Sequence, residues 1–114
     1  MKNEYSVTEV RKFFAEITWR VHWEGDRVKI FSRNEFVLAI VPPQDLQRLW
    51  LNVDRRLQVK EGIITINSVR EARQKFANLL NEVRRHKKVV EIYKHGGDLC
   101  IILIPPADFE RLPK

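Results

Sequence analysis

The residues of this sequence that could do chemistry are cations rather than nucleophiles or metal ligands. Among 114 residues, 21 Lys and Arg stand against 15 Asp and Glu, a net charge of +6. Such a balance favours nucleic acid or another polyanion as a partner. The single cysteine, Cys100, lies in an apolar run, and no nucleophile elbow, Gly-rich phosphate loop, metal-ligand spacing or pair of catalytic carboxylates occurs. We therefore expect a binding protein rather than an enzyme, with no metal and no cofactor.

Two arginines are the strongest candidates for contact with an acidic partner. Arg11 and Arg73 occupy matching places in two related segments, one turn after a helix-start signal. A guanidinium placed there can reach a phosphate or a base edge, and a salt bridge within the protein is the alternative. The further candidates lie on the second helix, at its exit and at two hairpin turns: Arg70, Arg84, Lys87, Lys88, Lys94 and Arg33. For the helix and exit residues, solvated surface charge is the alternative to phosphate contact.

The tryptophans form a second group of candidates. Trp19 and Trp23 are one helical turn apart and point away from the apolar stripe of their helix. The corresponding residues of the second segment, Asn81 and Arg85, are polar. Trp50 falls on the apolar stripe of a later helix. The pair predicts either packing of Trp19 and Trp23 against the helix of Trp50 or a surface for a protein partner.

The elements that position these residues come from an internal repeat. When the chain is shifted along itself by about sixty residues, residues 6–11, SVTEVR, match residues 68–73, SVREAR. Further along, PPQDLQRL at residues 42–49 matches PPADFERL at residues 105–112. Chance is a poor explanation for two such matches in the same order.

Each copy is predicted to contain a short strand, a helix, a β-hairpin and a second helix. Ser6 and Ser68 each open a Ser-x-x-Glu capping box, which fixes the helix start. The apolar residues that follow at spacings of three and four predict one continuous amphipathic helix in each copy, ending near Gly25 or Lys87. The histidines at these helix ends, His22 and His86, are expected to face solvent, and His95 to be a turn residue.

The hairpins and the closing helix follow from the remaining pattern. The predicted hairpin strands are residues 27–31 with 36–41 and 89–93 with 99–104, connected through Asn34-Glu35 and Gly96-Gly97-Asp98. Residues 45–57 continue as a long helix. Because units of about 50 residues bury too little apolar surface alone, the copies should share a core. We therefore predict repeats at residues 1–57 and 63–114, joined by a linker at 58–62.

The order of these motifs resembles the DNA-binding domain of the Phd/YefM antitoxins, whose helix carries an "EAR" motif and whose hairpin starts "ITR". Glu71-Ala72-Arg73 reproduces the first motif, and Glu9-Val10-Arg11 nearly does. The hairpin motif departs in both copies, as Ile92-Tyr93-Lys94 and as Ile30-Phe31-Ser32 with Arg33 one position later. The resemblance covers almost the whole chain.

The resemblance implies a fold and an arrangement of the two copies. Family members dimerise through this domain to face two halves of a palindromic operator, and a separate C-terminal tail folds onto the toxin; a comparable tail is not expected here. We expect an α+β fold in which two tandem β-α-β-β-α Phd/YefM-like units form an intramolecular pseudo-dimer with an antiparallel sheet. Two units that each need a partner most readily use one another across a pseudo-twofold axis. Arg11 and Arg73 should then lie roughly 34 Å apart, one turn of DNA.

The resulting functional prediction is a sequence-specific double-stranded DNA-binding transcriptional repressor, similar to an antitoxin of a type II toxin-antitoxin system. No apolar run approaches the length of about 20 residues that spans a bilayer, so a cytoplasmic location is expected. The partners are an operator duplex and a cognate toxin or other protein, and pairing into a further homodimer stays open. The alternative is a protein-interaction module that kept the fold without binding DNA and uses Trp19, Trp23 and residues 45–57.

Overall fold

The computed structural model describes residues 2–45, 63–94 and 97–113. The described strands form one six-stranded sheet in the order β1-β2-β3-β6-β5-β4. The strands are β1 Glu4–Ser6, β2 Val28–Ser32, β3 Glu35–Val41, β4 Ile64–Ile66, β5 Val90–Tyr93 and β6 Leu99–Ile104. The helices are α1 Val7–Lys12, α2 Phe14–Glu24, α3 Val69–Gln74, α4 Phe76–His86 and α5 Pro106–Arg111. The α+β class is therefore confirmed. The predicted helix beyond residue 45 with Trp50, the linker 58–62 and His95 lie outside the described residues.

The two copies join through their equivalent strands at the centre of the sheet. β3 and β6 pair antiparallel, with Ile40 opposite Leu103, the residue that matches it in the repeat. On either side, Ala39 faces Ile104 and Val41 faces Ile102, which is the same pairing with the copies exchanged. Such reciprocal contacts are typical of a twofold arrangement. The hairpin strands of both copies thus lie in one continuous sheet, as predicted.

The sheet is mixed, so the prediction of an antiparallel sheet is wrong at both edges. β1 runs parallel to β2, and β4 runs parallel to β5. The reason is the connection: a strand that reaches its neighbour through a helical crossover returns in the same direction, whereas the hairpin strands reverse. β1 and β4 form the two edges of the sheet, and no other described strand pairs with their outer sides.

Each predicted continuous helix is bent into two segments, which the sequence pattern did not show. The bends fall at Phe13, with φ −107° and ψ 24°, and at Lys75, with φ −98° and ψ 12°. Two backbone hydrogen bonds are kept at the first bend, from the N–H of Phe13 to the carbonyl of Glu9 at 2.8 Å and from the N–H of Ile17 to the carbonyl of Phe13 at 3.0 Å. The bend lets α1 contact β1 and β2 of its own copy while α2 contacts β6 of the other.

The predicted apolar stripes form the core beneath the helices. The buried residues of the two stripes are Val10, Phe14, Ile17 and Val21 from the first copy and Ala72, Phe76, Leu79 and Val83 from the second. At the middle of this layer the equivalent rings of Phe14 and Phe76 meet edge to face, with centroids 5.8 Å apart. The core is thus shared between the copies, and it lies directly under the helix bends.

The opposite face of the sheet is also covered. Its buried residues are Ala39, Val41, Val89, Ile102, Ile104 and Leu112, with Phe109 of α5 packed against them. β3 and β6 are therefore apolar on consecutive positions because both of their faces are buried, as the sequence predicted.

Candidate nucleic-acid interface

The arginines of the two copies meet in one groove. Arg11 and Lys12 from the last turn of α1, and Arg70, Arg73 and Gln74 from α3, line an open groove of about 490 Å³. The groove lies between the end of α1 and the helix α3. Equivalent residues of both repeats thus contribute to a single surface.

The cations of this groove are exposed, and none has an acidic partner among the described residues. Among the described residues, no ion pair joins Arg11, Lys12, Arg70 or Arg73 to a carboxylate. The neighbouring Lys75 differs, because its ammonium lies 2.8 Å from a carboxylate oxygen of Glu71. Four cations side by side without compensating charge create a positive potential that attracts a polyanion.

Helix capping positions the two key arginines. The hydroxyl of Ser6 accepts from the N–H of Glu9 at 3.1 Å, and the Glu9 carboxylate accepts from the N–H of Ser6 at 3.0 Å. A hydrogen bond from Lys2 is the main cause that lowers the pKa of this carboxyl, with the bond from Ser6 next. The capping box of the first copy is therefore complete, and Arg11 follows at a fixed angular position on α1.

The second capping box is only half formed, contrary to the prediction. Ser68 accepts from the N–H of Glu71 at 3.0 Å, but the Glu71 side chain accepts from Lys75 instead of returning to the cap. One hydrogen bond still fixes the start of α3, so Arg73 keeps the place that Arg11 has in the first copy.

Three predicted DNA contacts on the second helix lie outside the groove. Arg84 forms an ion pair with Glu35 of the other copy at 3.0 Å, and Lys88 forms one with Glu82 at 3.1 Å. Lys87 ends α4 in a left-handed conformation, with φ 55°, and its ammonium donates to the carbonyl of Arg84 at 3.1 Å. These exposed or half-buried cations are therefore engaged by groups of the protein itself, which the predicted alternative of solvated surface charge did not include.

The two hairpin turns differ in what they offer a partner. Arg33 and Asn34 both have positive φ, 51° and 66°, so the turn is Arg33-Asn34 rather than the predicted Asn34-Glu35. This two-residue turn matches strand twist, and it leaves Arg33 exposed. Lys94 instead packs against α2, with its ammonium 3.3 Å from the Nε2 atom of His22 and 5.1 Å from the ring centre of Trp23.

His22 is half-buried between the copies, so the expectation that it faces solvent is wrong. Its Nδ1 lies 3.1 Å from the carbonyl oxygen of Cys100. Because an ammonium can only donate, Nε2 accepts from Lys94 and Nδ1 carries the proton donated to Cys100. Cys100 itself is buried as predicted, and burial raises the pKa of its thiol.

The predicted separation of Arg11 and Arg73 is also wrong. Both line the same groove, whereas 34 Å would place them at opposite ends of a molecule whose largest extent is 36 Å. The helices α2 and α3 of the two copies contact one another, and the ends of α1 and α3 line the same groove. The hairpin turns are the features that move apart, because β3 and β6 are antiparallel.

The sequence reasoning missed two members of the groove, Lys12 and Gln74. Each directly follows a predicted arginine, Arg11 or Arg73. This adjacency on matching helices was the available signal. Lysine supplies a point charge for a phosphate, and a glutamine amide can pair with a phosphate or with the edge of adenine.

The tryptophan pair is exposed, as predicted. Trp19 is 56% and Trp23 64% accessible to solvent. Their predicted contact with the helix of Trp50 lies outside the described residues. What the described residues show is an aromatic face on α2 with no counterpart on α4, where Asn81 and Arg85 stand.

The comparisons with known proteins identify no protein similar to this chain. Comparison with protein-family models, with curated proteins and with solved structures finds no match. In the described part of the chain, no cluster of His, Cys, Asp and Glu could hold a metal ion. No helix of residues 2–45, 63–94 and 97–113 is long and apolar enough to cross a membrane. The likeness to the Phd/YefM antitoxins therefore depends on the motifs and stays a prediction.

Proposed function

We propose that the chain binds double-stranded DNA through the groove of Arg11, Lys12, Arg70, Arg73 and Gln74 and acts as a sequence-specific transcriptional repressor. Its two repeats would form an intramolecular pseudo-dimer of Phd/YefM-like units. The observation that carries the proposal is the meeting of equivalent arginines from both copies in one groove without an acidic partner. A structural salt bridge, the alternative for these arginines, is not found among the described residues.

The side chains of the groove suit both tasks of a DNA reader. A guanidinium can bind two phosphate oxygens, or the O6 and N7 atoms of guanine, in a bidentate manner. Phosphate contacts set the position of the protein, and base contacts set its sequence preference. The four cations of the groove therefore provide affinity for DNA. Its arginines and Gln74 provide discrimination between DNA sequences.

The arrangement of these residues predicts a DNA site that is nearly symmetric at its centre and asymmetric at its outer positions. The groove lies near the pseudo-twofold axis, so its contacts fall at the middle of the DNA site. The hairpin turns lie roughly 20 Å to either side, from the length of the strands. Arg33 is free to reach DNA at one end, whereas Lys94 packs against His22 and Trp23 at the other. The two halves of the operator should therefore differ in their outer positions.

The proposal is tested by selection of bound duplexes from a random pool, followed by titration of the best and a scrambled duplex. Arg73→Ala should weaken binding of the selected duplex by about 1 to 3 kcal/mol and reduce discrimination. Arg84→Ala is the matched control, since it removes the same charge outside the groove, and it should keep the preference.

A different outcome would favour the alternative. If the wild type prefers no duplex and Arg73→Ala binds as well as the wild type, the groove does not read DNA. The protein-interaction module then takes the place of the repressor.

A further inference from the structure

A second groove, separate from the basic one, lies between α2 and the N-terminal strand. It has a volume of about 430 Å³ and is lined by Lys2, Tyr5, Glu16, Trp19, Arg20 and Glu24. This acidic aromatic groove, as we name it, shares no lining residue with the basic groove. Its size falls within the range of about 300 to 1,000 Å³ that is typical of ligand sites.

Arg20 builds the floor of this groove and fixes its shape. The guanidinium is nearly buried, and it donates to the carboxylate of Asp26 at 3.2 and 3.0 Å. It also donates to the carbonyl of Lys2 at 2.8 Å, the hydroxyl of Tyr5 at 2.9 Å and the side-chain oxygen of Asn3 at 2.8 Å. All five donors are thereby used. Arg20 holds the N-terminal segment against α2 and offers nothing to a ligand.

The remaining charge of the groove is negative, although the chain as a whole is positive. The charge of Arg20 is balanced by Asp26, and Lys2 is paired with Glu9. Glu16 and Glu24 are exposed and form no ion pair with any residue of the described segments. Two carboxylates are therefore left over, so an anion such as DNA is a poor occupant.

Trp19 adds an aromatic surface to the two carboxylates, and together they form a site for cations. Its side chain is 56% exposed on the wall of the groove. Glu16 and Glu24 lie two helical turns apart, about 12 Å along α2, with Trp19 between them. An aromatic face attracts ammonium and guanidinium groups, and this attraction is larger for tryptophan than for other rings. Aromatic surface between two carboxylates is a combination that suits a chain bearing more than one cation.

The second repeat shows that the fold does not require these three residues. At the same places on α4 stand Asn78, Asn81 and His86. The ion pair beneath them is kept with its signs exchanged, because Glu82 and Lys88 take the places of Arg20 and Asp26 and lie 3.1 Å apart. The ion pair therefore serves the fold in both copies, whereas the tryptophan and the carboxylates are particular to the first.

We propose that the acidic aromatic groove binds a basic peptide segment of a partner protein. An arginine or lysine of that segment stacks on Trp19, and neighbouring cations pair with Glu16 and Glu24. An extended peptide advances about 3.4 Å per residue, so cations four residues apart span the two carboxylates. The site goes beyond the DNA-binding proposal and does not depend on it.

Binding of a labelled synthetic peptide with two arginines four residues apart, followed by fluorescence anisotropy, tests the proposal. Trp19→Asn and Glu16→Asn introduce the residues that stand at these places in the second copy, and Glu24→Gln, combined with Glu16→Asn in a double variant, removes the second carboxylate. Each should weaken binding roughly tenfold, the size of a cation–π or ion-pair contribution. Asn81→Ala, at the equivalent place on α4, is the control and should bind like the wild type.

Several separate results would contradict the peptide-binding proposal. Equal binding of a peptide with glutamates in place of the arginines, no binding by the wild type, or unchanged binding by Trp19→Asn would each overturn the proposal. Self-association of the wild type that Trp19→Asn abolishes in sedimentation would identify a second copy as the occupant and also overturn it. Circular dichroism checks that the variants are folded. Trp19→Asn should keep the duplex affinity of the wild type, which separates this site from the DNA proposal.

Discussion

At the scale of single residues, the chain uses the same guanidinium group in two opposite ways. Arg20 is nearly buried and uses all its N–H donors in hydrogen bonds within the protein. Arg11 and Arg73 are exposed, and the described residues offer them no acidic partner. A planar fork with five donors suits both tasks. The surroundings, and not the residue type, therefore decide which arginine holds the fold and which is free to bind.

Replacement of Arg20 tests the first of these roles. Arg20→Ala leaves Asp26 and the Tyr5 hydroxyl without their partner, so the free energy of unfolding should fall by about 3 kcal/mol. Arg11→Ala, which removes an exposed arginine, should change it by less than about 0.5 kcal/mol. Urea denaturation measures both. Equal losses for the two variants would show that the hydrogen bonds of Arg20 contribute nothing.

Glu91 makes the free energy of unfolding change with pH in the direction opposite to that of a salt-bridged carboxylate. Burial raises the pKa of this carboxyl above its ordinary value of 4.5, and a hydrogen bond from Tyr93 opposes the shift. Because the folded state disfavours the charged form, the ionised carboxylate lowers the free energy of unfolding at neutral pH. This destabilisation disappears as the pH falls below the ordinary pKa. Glu91→Gln should therefore stabilise the protein near neutral pH and have little effect near pH 4. A stabilisation that grows on acidification would contradict this.

At the scale of elements, the sequence revealed where the helices begin but not where they bend. The Ser-x-x-Glu signals and the apolar stripes of Phe14 and Phe76 were readable because they act within one turn or one helix face. The bends at Phe13 and Lys75 carry no proline or glycine. They arise because each helix covers its own strands and then a strand of the other copy. Such a cause is not local, so no local pattern marks it.

The two capping boxes predict unequal effects of matched substitutions. Ser6→Ala and Ser68→Ala should each cost about 1 kcal/mol, since each removes a bond to the third residue of the helix. Glu9→Ala should cost more than Glu71→Ala, because only Glu9 returns to its cap. Urea denaturation of the four variants checks the order. Equal costs for the two glutamate variants would mean that the return bond adds nothing.

At the scale of the whole molecule, the copies are tied together along the sheet and at its faces. The central pair of β3 and β6 is reinforced by contacts between copies, from Arg84 to Glu35 and from His22 to the carbonyl of Cys100. Arg27 binds Asp45 of its own copy and also donates to the carbonyl of Pro113 at the end of the other. One cooperative unit should result.

The placing of the tryptophans makes this cooperativity measurable. Trp19, Trp23 and Trp50 all belong to the first copy, so fluorescence follows that copy whereas far-UV circular dichroism follows both. The two signals should give coincident urea transitions, as expected for a two-state domain. Separate midpoints would show that the copies unfold independently and that the shared core does not join them.

The candidate site was readable in part. The equivalence of Arg11 and Arg73 followed from the repeat, since matching motifs place matching side chains. Their distance did not follow, because it depends on where the twofold axis lies and on how the helices bend across it. Likewise, nothing in the local sequence shows that Lys94 packs on Trp23 rather than facing a ligand. Contacts between the copies decided both.

The salt dependence of duplex binding tests most directly whether the two arginines form one DNA-contact surface. Affinity for the selected duplex would be measured over a range of salt for the wild type, Arg11→Ala, Arg73→Ala, the double variant and the control Arg84→Ala. If each arginine contacts one phosphate, we predict that each single variant makes the negative slope of log affinity against log salt shallower by about 0.9, and the double variant by about 1.8. Arg84→Ala should keep the wild-type slope. Slopes and affinities of the single and double variants equal to those of the wild type would contradict a shared DNA-binding groove.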